Sequence, residues 1–231
     1  MESNKKTARL AGLLYLIIVF FGIFYLRYAP SQLIVSGNLP ATIGKIRASE
    51  TLFRLSILAE LIGGLFFLFL PLVLYRLFRG LNKTVATLMV IFASLSIVIS
   101  YANLSNRFAV LTFISNADYL KTFSAAEIQT QISLHLDFYD NGMLMQELFW
   151  GLWLFPFGYL VFRSGFFPKF LGILLMTGCI GYVIDFAGSF LSPHYNDLNI
   201  TRYITLPASV GELGTGLWML IMGVKERKIE S

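Results

Sequence analysis

Apolar residues fall into six long runs, roughly 8–27, 55–75, 85–103, 143–162, 170–190 and 207–224, with charged and turn-forming residues gathered between them. A helix needs about 20 mostly apolar residues to cross some 30 Å of hydrocarbon. Each run meets that length. The pattern therefore predicts an all-α fold, a polytopic transmembrane bundle of about six helices in a single transmembrane domain over residues 1–231. Ser124-Ala-Ala-Glu127 has the spacing of a capping box, so a short outer helix is expected to begin there and lead toward the fourth run. Pro168 precedes the fifth run and Pro207 opens the sixth, positions where a missing N–H costs least. Pro71 and Pro156 fall inside runs, where neighbouring helices satisfy the freed carbonyls. The two longest connections, about 28–50 and 104–140, are expected as outer loops.

The even-numbered runs share a motif. Glu60-Leu61-Ile62-Gly63-Gly64-Leu65-Phe66, Glu147-Leu148-Phe149-Trp150-Gly151-Leu152-Trp153 and Glu212-Leu213-Gly214-Thr215-Gly216-Leu217-Trp218 all read Glu-Leu-x-x-Gly-Leu-aromatic. Each then descends to a basic end, at Arg76, Arg163 and Lys225. The odd-numbered runs open with a weaker one: Arg9-x-x-Gly12-x-Leu14, Lys83-x-x-Ala86-x-Leu88 and Lys169-x-x-Gly172-x-Leu174. Recurrence at a fixed place in successive hairpins marks internal duplication. It predicts three helical-hairpin repeats with pseudo-threefold symmetry about an axis along the membrane normal, one of the common transporter symmetries.

Composition sharpens the class. Of 231 residues, 56% are hydrophobic and 13% charged, about half the roughly 25% charge of a soluble domain. The pI near 9.3 invites a nucleic-acid reading, but the basic residues sit at span ends. With the N-terminus inside, Lys5, Lys6, Arg9, Arg76, Arg79, Lys83, Arg163, Lys169, Lys225, Arg227 and Lys228 face the cytoplasm on short segments. Arg27, Lys45, Arg47, Arg54, Arg107, Lys121 and Arg202 are spread over the outer side. Short basic inner loops orient membrane proteins, so the expectation is a bacterial cytoplasmic (inner) membrane protein with both termini cytoplasmic. The partners expected are membrane lipid and a small solute or cation, with no nucleic acid and no oligomeric state specified. The first run is too long for a signal peptide and lacks an A-x-A-like site, so it reads as an uncleaved helix. Cys179 is the single cysteine, which excludes an intrachain disulfide.

Several stretches resemble a known family: Arg9-Leu10-Ala11-Gly12-Leu13-Leu14-Tyr15-Leu16, Phe53-Arg54-Leu55, and Gly158-Tyr159-Leu160-Val161-Phe162-Arg163-Ser164-Gly165 with Pro168, Leu171 and Gly172. Gly181-Tyr182 with Asp185, Gly211-Glu212-Leu213 through Trp218, and Gly223-Val224 complete the likeness. Together they resemble the bacterial domain-of-unknown-function 4386 family over about residues 7–225. The resemblance implies a bacterial multi-span membrane protein and brings no activity, cofactor or catalytic residue with it. The stretch 104–135 matches least.

Candidate chemistry lies with the membrane-embedded carboxyl groups. Sixteen residues separate Glu60 from Arg76 and Glu147 from Arg163, about 24 Å at 1.5 Å per residue. Glu212 and Asp185 reach the same outer-half layer by the same rise. A carboxylate at such depth costs on the order of 2.5–3.5 kcal/mol even on insertion scales, so these groups turn inward and find partners. Ser96, Ser100, Tyr101 and Asn103 of the third run are at hand. Glu60, Glu147, Glu212 and Asp185, with Arg54, Arg107 and Asn103, form the candidate ligand-binding set. Arg54 and Arg107 read either as anion clamps or, more plainly, as side chains snorkelling to the outer interface. His135-Leu-Asp137-x-x-Asp140 and His194-x-x-Asp197 are weak metal candidates without a metal-site spacing. No Gly-rich phosphate loop, Gly-x-Ser-x-Gly elbow or His-Glu-x-x-His helix is present. No cofactor is expected.

Like charges in one low-dielectric slab repel, so the carboxylate layer is expected to hold a proton or a cation. Three readings stay open: binding or moving a small solute, cation or proton at that layer; a structural or partner-binding membrane subunit; and an intramembrane enzyme acting on lipid at the outer surface through His135 and its acidic neighbours.

Overall fold

In a computed structural model the chain is described over residues 2–115, 117–192, 194–198 and 200–224. The basic cluster Lys225, Arg227 and Lys228, which the sequence sets at the inner end of the sixth run, lies outside them. Among the described residues the regular structure is helical throughout. The helices are α1 (Glu2–Ile23), α2 (Ala29–Leu33), α3 (Leu39–Ala48), α4 (Glu50–Phe78), α5 (Lys83–Ile114), α6 (Ala125–Ser164), α7 (Lys169–Leu191), α8 (Thr201–Ile204) and α9 (Leu206–Ile221). A π-helical turn, Phe24–Tyr28, joins α1 to α2.

Among the described residues, five stretches are long and apolar enough to cross a membrane: Asn4–Leu33, Glu50–Phe78, Lys83–Ile114, Lys169–Leu191 and Thr201–Ile221. That is the make-up of a multi-pass membrane protein. The fourth run lies in the second half of α6, a helix of 40 residues. Its length is ample, but Gln146, Glu147, Trp150, Trp153, Pro156 and Tyr159 dilute its apolar character.

The predicted outer loops are mostly helix, which corrects the sequence reading. α5 continues to Ile114 and α6 starts at Ala125, leaving only a short connection that contains a 3-10 turn at Asp118–Thr122. The reason is a buried stripe that polar neighbours conceal in the sequence. Leu104, Val110, Leu111, Ile114 and Ile132 pack with Phe53, Ile57, Ile43 and Ile46 into one core, and helix is what brings that stripe to one face. The start of α6 has the expected capping box. Ser124 N–H and Oγ each donate to Glu127 Oε2 at 2.7 Å, and Ser124 Oγ accepts from Glu127 N–H at 3.2 Å. These bonds hold the exposed Glu127 carboxyl below the usual glutamate range. Over 28–50, the connection to α3 turns at Gly37, whose φ of 71° suits glycine. Asn38 Oδ1 then caps α3 by accepting from Ala41 N–H at 3.0 Å.

The chain forms two compact units. One comprises residues up to 18, 65–97 and from 144 onward. Its interior is aromatic: Trp153 stacks on Phe157 at 5.1 Å between centroids, meets Phe67 edge-on at 5.2 Å and lies 6.4 Å from Tyr15. Small residues let its helices touch backbone to backbone. A Cβ on Gly12 would stand 2.5 Å from Leu220 N and 2.8 Å from Gly216 O, so α1 rests directly on α9. α7 meets α6 at Gly172, and α7 meets α9 at Gly178 and Ala208, in the same manner. The second unit comprises residues 19–64 and 98–143. It is built from the end of α1, the π-helical turn, α2, α3, the first half of α4, the second half of α5 and the first half of α6.

Gly12→Ala should force α1 off α9 and lower stability by about 1–3 kcal/mol, as overpacking does. Gly22→Ala, where nothing lies within 4 Å of the added Cβ, should be neutral or raise stability by about 0.5–1 kcal/mol through helix propensity. Thermal unfolding in detergent of the two variants checks the contrast. Because the Glu127 carboxyl is held low, its capping contribution is present above the ordinary glutamate pKa and disappears as pH falls through the lowered value. Amide protection over residues 125–128, taken relative to the intrinsic exchange rate at each pH, should fall at acid pH in the native chain, and at neutral pH in Ser124→Ala.

Candidate functional site

Helix α4 carries Glu60 on the face that also holds Phe53, Ser56 and Ile57, all buried. That spacing of three and four residues makes one stripe. The Glu60 carboxylate is 1% exposed, and three donors surround it. Ser100 of α5 donates to Oε1 at 2.9 Å. Tyr139 of α6 donates its hydroxyl to Oε2 at 2.7 Å. Arg107 of α5 places Nη1 3.5 Å from the same oxygen.

Arg107 is itself buried, with 5% of its surface exposed. Its Nη2 donates to Ser56 Oγ at 2.6 Å. Its guanidinium lies between two rings, 4.7 Å from the centroid of Phe53 and 5.0 Å from that of Tyr139. A planar cation between aromatic faces gains quadrupole attraction where water is excluded. This overturns the snorkelling reading of Arg107. The reason is that α5 does not end near it, and the guanidinium finds its counter-ion inside the protein.

Asn103 belongs to the same cluster. Its Nδ2 donates to the Tyr139 carbonyl at 2.8 Å, and its Oδ1 accepts from Asn106 at 3.0 Å. Asn106 Oδ1 in turn lies 3.2 Å from His135 Nδ1, whose ring stacks on Phe113. Gly142 of α6 permits this approach, since a Cβ there would coincide with the Asn103 amide. Arg54 does not join: it pairs with Glu50 at 2.7 Å on the exposed side of α4.

The first unit holds the other candidates in different surroundings. Glu212 of α9 is half-buried and accepts a 2.7 Å hydrogen bond from the Tyr15 hydroxyl of α1. No cation pairs with it among the described residues. Asp185 of α7 is buried and accepts from Thr201 Oγ1 of α8 at 2.6 Å. Glu147 is half-buried on α6. His194 sits 3.3 Å from Asp197 in an exposed loop, and Asp137 and Asp140 are exposed on α6. Among the described residues, no three His, Cys, Asp or Glu side chains gather into a group able to hold a metal.

Tyr139, Phe53, Ser56 and Tyr15 are the partners that sequence reasoning missed. Tyr15 carried a signal, since it follows the odd-run motif Gly12-x-Leu14. Tyr139 carried none, because nothing in the sequence set the outer helix that begins at Ser124 beside Glu60.

The buried ion pair makes a sharp test. Arg107→Met should strand the Glu60 charge and destabilise the protein by about 3–5 kcal/mol. Glu60→Gln combined with Arg107→Met should recover most of that loss, because a neutral amide can still bond Ser100 and Tyr139. Thermal unfolding of the single and double variants measures the difference.

Comparison with known proteins adds a family and no activity. A stretch of 84 residues, 36% of this chain, is 32% identical to an uncharacterized protein of Archaeoglobus fulgidus, and it covers 48% of that relative. The chain thus matches about half the length of that curated relative. No solved structure matches the chain. The model of the family described as "Domain of unknown function (DUF4386)" matches residues 10–223, and the chain belongs to that family.

Proposed function

We propose that this protein binds or moves a small solute, cation or proton through its buried carboxyl groups, with Glu212 as the exchangeable group. The observation that carries this reading is the Glu212–Tyr15 pair at 2.7 Å, which has no cation beside it among the described residues. A carboxyl whose partner is a neutral hydroxyl can exchange a proton for a cation, and the tyrosine can follow either state by rotating its O–H. Glu60 stands at the other extreme, with its charge matched by Arg107. These two of the motif's three glutamates thus divide the work: one fixes structure, and the other is open to exchange.

The finer architecture belongs to the same proposal. Six crossings with both termini on the cytoplasmic side of a bacterial inner membrane follow from the basic inner segments. Three hairpin repeats about a threefold axis draw support from the motif glycines. Gly64 of α4 packs on Tyr101 of α5, Gly151 of α6 on Tyr182 of α7, and Gly216 of α9 on Tyr15 of α1. In each repeat the glycine one turn after the glutamate receives a tyrosine from the helix that opens another repeat. The order runs second span to third, fourth to fifth, and sixth to first.

A structural or partner-binding role is the second reading. It is favoured by the saturation of Glu60, whose carboxylate already has three donors.

The test uses purified protein in liposomes and detergent. A pH-sensitive dye inside the vesicles reports proton movement driven by sodium, potassium or magnesium gradients. Thermal shift with the same ions between pH 5 and 9 reports binding. Cation-induced stabilisation should grow with pH, since protons compete for the site. Glu212→Gln should keep the fold and abolish both responses, and Tyr15→Phe should weaken them. If Glu212→Gln leaves both responses unchanged, or if no ion produces either, the carboxyl groups are structural and the second reading stands.

A further inference from the structure

Within the first unit, α5, α6 and α7 enclose an open cavity of about 350 Å³. Val85, Leu88 and Phe92 form the α5 wall, while Leu152, Phe155, Pro156 and Tyr159 form the α6 wall. Cys179 of α7 also lines it. The lining offers hydrocarbon and almost nothing polar, and its α5 and α7 sides lie within stretches apolar enough for the membrane interior. Water gains nothing there, and a polar solute would lose its hydration without compensation. Val85 to Phe92 gives about 10 Å of wall, some two-thirds of the roughly 15 Å occupied by the tails of one leaflet.

One end of the groove is basic. α5 begins at Lys83, two residues and about 3 Å before Val85. Arg163 stands one turn, about 6 Å, beyond Tyr159 on α6. The short connection between Ile114 and Ala125 makes α5 and α6 an antiparallel pair, so the first residues of α5 and the last of α6 lie at the same end. Both Lys83 and Arg163 are exposed, and neither has an acidic partner among the described residues. The far end, at Phe92 and Leu152, carries no charge.

An apolar slot with two unpaired cations at one end is complementary to a single amphiphile. We infer that the groove holds one acyl chain of an anionic phospholipid, with its phosphate met by Lys83 and Arg163. Zwitterionic lipid would supply the same tail, but its own ammonium would compete with these two side chains for the phosphate. Lipid headgroups of negative charge are drawn to such basic ends. This site shares no residue with the Glu212–Tyr15 pair, so it stands or falls independently of the proposed exchange function.

The single cysteine provides the probe, because Cys179 lines the slot and labelling has no background from other thiols. Delipidated protein in neutral detergent is labelled with N-ethylmaleimide after addition of palmitoyl-oleoyl phosphatidylglycerol or the corresponding phosphatidylcholine at equal mole fraction. Phosphatidylglycerol should slow labelling several-fold more than phosphatidylcholine. Lys83→Gln with Arg163→Gln, both at exposed positions, should erase that advantage. Leu88→Trp should fill the slot and slow labelling without either lipid. Native mass spectrometry gives a second measurement: the native chain should retain one phosphatidylglycerol that the double variant loses. Equal protection by the two lipids, or a phosphatidylglycerol advantage that survives Lys83→Gln and Arg163→Gln, would mean non-selective contact with bulk lipid and would overturn the assignment.

Discussion

Hydrocarbon offers a polar side chain no hydrogen-bond partner, so a polar group inside a span must be answered from within the protein, and a carboxylate must be answered by another helix. Glu60 is where this constraint acts hardest. Its carboxylate bonds to α5 through Ser100 and to α6 through Tyr139, while Asn103 bonds α5 to α6 through the Tyr139 carbonyl. In the second unit each of these three helices is therefore tied to the other two. The rotation of each about its own axis is fixed by the requirement that the donors converge. Apolar packing alone would leave that rotation weakly specified, since one Leu face resembles another. Removing any member would leave a buried group unsatisfied, which is why such networks impose a single arrangement.

The first unit reaches close packing by other means. Its helices approach at glycines, where dispersion contacts between backbones take the place of side-chain interdigitation. Trp153 and Phe157 fill the space behind them. A polar tie from Tyr15 to Glu212 links α1 to α9, the first and last helices of the described residues. A single neutral donor restrains a carboxyl less than the three donors around Glu60. That difference in restraint separates a group suited to exchange from one suited to bracing.

Much of the helical plan was readable because apolar runs of membrane length have few other uses. That Glu60 needs a partner was readable too, since a carboxyl deep in an apolar run requires one, and Ser100 was one of four side chains at hand on the neighbouring run. What escaped was helix in polar sequence. Residues 104–140 carry Asn, Ser, Thr, Gln and Asp, and they look like loop until Leu104, Leu111 and Ile132 are seen to face one core. With the third run ended at 103 and the outer helix from Ser124 left unplaced, Tyr139 had no place near Glu60 and Arg107 had no interior to enter. Glycine contacts were legible only as motif positions. Which tyrosine would cover each of them depends on helix pairing, which a single sequence does not encode locally.

The π-helical turn at Phe24–Tyr28 closes with the Ala29 N–H reaching back to the Phe24 carbonyl, a ring one residue longer than the α-helical one. One surplus residue advances the chain by about 100° around the axis relative to an uninterrupted helix. Ala29 and Leu33 are buried with this offset in place. The segment therefore contains a slack residue: losing any one amino acid between 24 and 28 would let the turn relax to ordinary α geometry while Ala29 and Leu33 kept their faces. A one-residue deletion is thus accommodated at this point of the first span, whereas in α4 or α9 a missing residue would swing Glu60 or Glu212 away from its partner.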